Sequence, residues 1–169
     1  MMTASTRPDE APGGEWRSLV PAVPLLCLPA ETGNILSIER SVAAQCPSGA
    51  LGEQELLHLR LLVDEIFSNI CRHAYAGSSG QMAVYVEPYD SRQKLLYFWA
   101  VDWGRPFDPV AAIPATPPLS PERDLLRQSP EKLGLYLVSC SCHSLEYKRA
   151  VLADDGREAN LLRVGLALN

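Results

Sequence analysis

Val63-Asp-Glu-Ile-Phe-Ser-Asn-Ile-Cys-Arg-His-Ala-Tyr75 closes a proline-free run, roughly Gly52 to Ala74, in which Leu56, Leu59, Val63, Ile66 and Ile70 recur at steps of three and four. That period is the apolar stripe of a helix packed on a core. Glu65, Asn69 and His73 fall at i, i+4 and i+8, so the three project from one side of the helix. A carboxylate and an amide oxygen one turn apart suit a hard cation such as Mg²⁺, which keeps several waters and borrows few protein ligands. Taken alone, the same residues also read as an ordinary polar face beside an apolar stripe.

Upstream, Ile35, Ile38 and Val42 mark a shorter helix from about Gly33 to Gln45, stopped by the turn-like Cys46-Pro-Ser-Gly49. Before it, Trp16 to Leu28 is apolar but broken by Pro21 and Pro24, which confines any strand there to a sheet edge. Downstream of the turn at Gly77-Ser-Ser-Gly80, Gln81 to Glu87 alternates, and Lys94 to Val101 is rich in Leu, Tyr, Phe and Trp. These are two strands of a hairpin turning near Tyr89-Asp-Ser-Arg92, with Tyr97, Phe98 and Trp99 as sheet packing. A further helix starts at Ser129-Pro130, with Ser as N-cap and Pro at the first helical position, and runs to about Ser141. Two closing strands, near 144–152 and 160–168, are joined by Asp154-Asp-Gly-Arg157. The fold class is α+β: a two-layer α/β sandwich with helices on one face of a mixed, mostly antiparallel sheet.

The 169 residues suit one domain, here 16–169 after a polar tail at 1–15 that is too poor in apolar groups to order. Fifteen Lys and Arg against 20 Asp and Glu give a net charge of -5 with no basic block, which argues against a nucleic-acid partner. Neither a membrane-length apolar run nor a signal-peptide core is present, and five irregularly spaced cysteines fit a reducing compartment, so a soluble, cytoplasmic protein is expected. Cys140-Ser-Cys142-His143 does not suggest zinc, because helical positions two apart point away from each other; Cys140 reads as core.

Two further motifs stand out. In Val101-Asp-Trp-Gly-Arg-Pro-Phe-Asp-Pro109, an Asp at a strand end can accept from an exocyclic amine, and Gly104 lets a flat ring approach the backbone, although Asp, Gly and Pro also make plain turns. Trp103 lies inside that motif, as a shield for a pocket or a cover for the sheet edge. In Ser129-Pro-Glu-Lys-Leu-Gly-Leu-Tyr136, a helix begins after a long loop, with free N–H groups of the kind that attract phosphate.

In this order the three motifs resemble the histidine-kinase-like ATPase superfamily and its Bergerat-type ATP-binding fold. Val63-Asp-Glu65, Asn69-Ile-Cys-Arg-His-Ala-Tyr75 and Pro106-Phe-Asp-Pro109 are most similar to the anti-sigma-factor serine kinases of bacteria, over about Pro21 to Leu168. The resemblance implies an ATP-dependent serine/threonine protein kinase that also holds a sigma factor, and transfer of the γ-phosphoryl of ATP to a Ser or Thr of an anti-sigma-factor antagonist. It makes Glu65 the catalytic carboxylate that polarises the attacking hydroxyl and Asn69 the Mg²⁺ ligand. Asp102 becomes the adenine-reading group with Gly104 at the base; Arg72 and His73 lie near the phosphates, and Gly134 sits at the helix terminus that receives them. The branch is also usually a homodimer, for which the edge near Pro21 to Leu28 offers a seam.

Two departures are visible. Glu131 and Lys132 occupy the positions of the family's glycine pair, where Lys132 offers a point charge in place of backbone amides. On the last strand, Asn160 stands as the polar substitute for a Thr near the adenine. These departures leave a second reading open, a regulatory binding module of the same fold with weak or no catalysis. A third, an ATPase whose phosphate goes to water, differs only in acceptor.

Between Asp102-x-Gly104 and Leu133-Gly134 lies a stretch of about 26 residues, 105–130, with seven prolines and no glycine. A connection that long in a compact domain is usually functional. In this order of motifs it is the nucleotide lid, and one that cannot close by flexing at glycines.

Overall fold

The computed structural model describes residues 20–114, 130–152 and 156–169, with nothing to say of the side chains of 130–132. The tail at 1–15, the start near Trp16, most of the lid, the Ser129 N-cap and the Lys132 side chain therefore lie outside the described residues.

A short strand, β1 (Leu26–Pro29), leads through the 3-10 turn Thr32–Asn34 into α1 (Ile35–Ala43). After the Pro47–Gly49 turn comes α2 (Glu53–Asn69), then β2 (Gln81–Val86), β3 (Leu95–Asp102), α3 (Pro130–Ser141), β4 (Ser144–Val151) and β5 (Glu158–Ala167). Each predicted element is present among the described residues. The sheet order is β1-β2-β3-β5-β4, and among the described strands every neighbouring pair is antiparallel. Both predicted hairpins form, and the second docks through β5 against β3, leaving β1 and β4 at the edges.

One face of the sheet carries the helices. Ile38 and Val42 of α1, Leu59, Leu62, Val63, Ile66 and Phe67 of α2, and Val138 of α3 pack on Met82, Val84, Leu96, Phe98, Ala100, Val164 and Leu166. The other face is buried too: Tyr85, Trp99, Val101 and Leu161 form a second apolar cluster, against which Val20, Trp103 and Leu152 pack. Trp103 thus covers the sheet rather than the helix side, with the Arg157 guanidinium 4.8 Å from its ring centre.

Two expectations are corrected. The α-helical bonding of α2 ends at Asn69, and the chain continues to Ala74 as a π-helical turn, Ile70–Ala74. Tertiary bonds fix this wider turn: the Ala74 carbonyl accepts the Arg105 N–H at 2.9 Å, and the Tyr75 hydroxyl donates to the Gln81 carbonyl while accepting the Trp103 N–H. Cys140, read as core, is exposed, because it falls on the outer side of α3 while Val138 faces inward.

Candidate functional site

Between the end of α2, α3 and the sheet lies a cavity of about 450 Å³. Ile66, Asn69, Ile70 and His73 line one wall and Leu135 and Val138 another; Ala100, Asp102, Tyr147, Asn160 and Leu162 form the sheet side. Pro106, Phe107, Pro109 and Ala112 close the remaining side, so the described start of the proline-rich stretch is a wall of this cavity. The Asp108 carboxylate accepts the Val110 and Ala111 N–H groups, which pins that wall as a turn. Phe107 in that wall is 49% exposed.

Asp102 sits at the end of β3, 7% exposed. Its Oδ1 accepts the Gly104 N–H at 2.9 Å and the Asn160 amide N–H at 2.9 Å. Burial pushes the Asp102 carboxyl above the ordinary carboxylate range, opposed by those two bonds and by the positive charge of Arg149. Asn160 is itself buried and donates a second bond to the Arg105 carbonyl, while its Oδ1 accepts from the Tyr147 hydroxyl and the Arg149 guanidinium. Arg149 also donates to the Gly104 carbonyl and pairs with Glu158.

Gly104 needs to be small. A Cβ there would stand 2.3 Å from the Ala74 carbonyl oxygen, so the segment after β3 lies directly on the π-helical turn. Gly134 is comparable: a Cβ would stand 2.1 Å from Glu65 Oε2, which places the Glu65 carboxylate against the backbone of α3.

The structure therefore brings Asn69, His73 and Asp102 to one cavity, with Gly104 under Asp102 and Glu65 beside it against Gly134. Arg72 is not brought in; it is exposed and absent from the lining, since the π-helical turn points it outward. Asn69 and Glu65 offer an amide and a carboxylate oxygen, a donor set that fits a hard cation arriving with a phosphate. Among the described residues no group of three or more His, Cys, Asp and Glu would hold a metal by itself, Cys140-Ser-Cys142-His143 included. Nor is any described helix long and apolar enough to cross a membrane.

Tyr147 and Arg149 are absent from the sequence reading. Leu145, Tyr147 and Arg149 alternate along β4, which signals a common face, but only the register shows which site that face meets.

The sequence profile of the family described as a histidine kinase-like ATPase domain matches residues 28–162, from β1 into β5. No curated protein matches the chain.

Proposed function

The chain belongs to the histidine kinase-like ATPase domain family, a family of ATP-binding domains, and from that membership we propose that it is an ATP-dependent serine/threonine protein kinase acting as a cytoplasmic anti-sigma factor. Its partners are a sigma factor and an anti-sigma-factor antagonist, whose Ser or Thr hydroxyl is the acceptor, and a second copy of the chain. The observation that carries this reading is the placing of Glu65: one helical turn before the cavity-lining Asn69, with its carboxylate lying next to Gly134. Glu65 does not itself line the cavity, but its neighbour Ile66 and Gly134's neighbour Leu135 do, and a carboxylate there has the chemistry to take the proton of a hydroxyl brought to the cavity.

In this arrangement Asp102 and Gly104 hold the adenine end and the apolar side chains Ile66, Leu135 and Phe107 exclude water. Asn69 would hold Mg²⁺, which would supply charge neutralisation at the phosphates, and His73 lines the same cavity. Gly134 belongs at the phosphate end, where the family resemblance also assigns Lys132. As the acceptor oxygen bonds to the γ-phosphorus and the bridge to ADP breaks, Glu65 receives the hydroxyl proton. Phosphoryl transfer draws mainly on positioning and charge neutralisation, so this small set suffices.

Incubating the protein with a candidate antagonist, ATP and Mg²⁺ is expected to yield phosphoserine or phosphothreonine, abolished in Glu65→Ala with nucleotide affinity retained. Phosphorylation that survives Glu65→Ala refutes the role. Glu131 and Lys132, in place of two glycines, support the second reading of a non-catalytic binding module. A flat Mg-ATP titration together with intact partner binding selects it, and phosphate release without any partner selects hydrolysis.

A further inference from the structure

Asp102, Asn160 and Arg149 occupy one cross-strand row of the sheet: Asp102 of β3 lies directly opposite Asn160 of β5, and Asn160 directly opposite Arg149 of β4. Directly opposed residues share a face, and here that face is the cavity. The chemistry of the row leaves the Asn160 amide one orientation. Arg149 has only donors, so the atom it meets at 3.0 Å must be the amide oxygen. The Arg105 carbonyl has only acceptor capacity, so the atom it meets at 3.0 Å must be the amide nitrogen. With the Tyr147 hydroxyl also on Oδ1, both donors and both acceptor positions of Asn160 are spent within the protein. Asn160 has nothing left for a ligand. Its product is an N–H aimed at Asp102 Oδ1, next to the Gly104 N–H on the same oxygen.

We infer that Asn160 and Arg149 are positioning residues that hold Asp102 as a pure acceptor and thereby select a 6-amino purine over a 6-oxo purine. The inference rests on the reading of the cavity as the ATP site. A 6-amino group donates to a carboxylate; a 6-oxo group presents an acceptor to an acceptor, an arrangement relieved only when the carboxyl takes up a proton. The groups around that carboxyl are Arg149 and Tyr147 on β4, Tyr75 and His73 at the end of the π-helical turn, and Arg105 after β3. Removing the Asn160 donor strengthens the upward push of burial on Asp102, so the protonated form reaches closer to neutral pH.

Calorimetric titration of the full chain with ATP and with inosine triphosphate, in Mg²⁺ and from pH 5 to 8, reads this out. The wild type is expected to favour ATP by at least about tenfold. In Asn160→Leu the preference falls to about threefold or less, and the pH below which ATP binding is lost moves upward. Arg149→Met, which removes one donor to the Asn160 oxygen and the positive charge that favours the ionised Asp102, is expected to shift both readouts the same way and serves if Asn160→Leu does not fold. A folded variant that keeps the wild-type preference and pH profile overturns the inference, as does a wild type that binds the two nucleotides equally. A wild type that binds neither overturns the ATP-site reading and the inference with it.

Discussion

A methyl group added at Gly134 and one added at Gly104 meet opposite kinds of neighbour. At Gly134 it meets the tip of a flexible Glu65 side chain, which can swing aside; at Gly104 it meets the Ala74 backbone, which cannot. Gly134→Ala is therefore expected to leave the melting temperature unchanged or raise it, since Ala is favoured over Gly in a helix by roughly 0.5–1 kcal/mol. Its phosphoryl transfer falls while its nucleotide affinity persists, because the displaced group is the proposed proton acceptor. Gly104→Ala is expected to cost about 2–3 kcal/mol of overpacking and to lose nucleotide binding. Thermal melts and nucleotide titration of the two variants check the contrast, and equal losses of stability would count against it. Asp102 carries a second prediction. Burial raises its pKa from the ordinary 3.8, so the folded chain keeps this proton to higher pH than the unfolded chain does. Stability from this group is then present at low pH and lost as pH rises through the raised folded-state value. Asp102→Asn still offers an oxygen to Gly104 and Asn160. It is expected to melt above the wild type near pH 7, the gap closing as pH falls toward 3.8; a gap that widens toward acid refutes the sign.

At the scale of elements, the end of α2 shows how far sequence periodicity carries. The stripe was legible because Leu59, Val63, Ile66 and Ile70 are decided by burial against one sheet face, although its first member, Leu56, stands only half-buried outside that core, and the helix does follow it through Asn69. The π-helical turn from Ile70 to Ala74 was not, because it depends on partners remote in sequence: Arg105 for the Ala74 carbonyl, Trp103 and Gln81 for the Tyr75 hydroxyl. Asn69, Asp102 and Gly104 were readable as candidate site residues from motif spacing, and Gly134 from the family resemblance. Arg149 and Tyr147 were not, since β4 reaches the site only through a register that no local pattern encodes. The Tyr75 hydroxyl joins the start of β2 to the segment after β3, and that segment carries Gly104. Tyr75→Phe leaves the Trp103 N–H without this acceptor and the Gln81 carbonyl without this donor, at a cost of about 1–3 kcal/mol. The expected result is a lower urea midpoint with an unchanged slope and a weakened nucleotide affinity. A Tyr75→Phe protein that loses stability but binds nucleotide as before would show that the turn does not position Gly104.

For the molecule as a whole, the sheet separates two environments that share one backbone. The aromatic run Tyr97-Phe98-Trp99 was legible as sheet packing, yet nothing in its alternation told that both faces are covered, since Phe98 on the helix side and Trp99 on the other are equally inaccessible. The row Trp99–Arg163–Glu146 is the counterpart, on the far face, of the Asp102–Asn160–Arg149 row. There Arg163 makes a two-pronged bond to Glu87 at 2.7 and 2.8 Å and lies 3.8 Å over the Tyr97 ring, and Glu87 also accepts the Trp99 indole N–H at 2.7 Å. Both side chains are 15% exposed, so removing one strands the other in a poorly solvated place. Glu87→Ala is expected to destabilise by about 3 kcal/mol, while Glu87→Leu combined with Arg163→Met recovers most of that loss by replacing the pair with apolar packing. Because the pair sits across the sheet from the cavity, nucleotide affinity measured well below the melting temperature should be the same in all three proteins. Chemical denaturation and calorimetry together test this. A Glu87→Ala protein as stable as the wild type would show that the ion pair contributes little. A change in nucleotide affinity without a change in stability would mean that the two faces are coupled through β3 and β5, whose cross-strand rows alternate between Arg163 and Asn160.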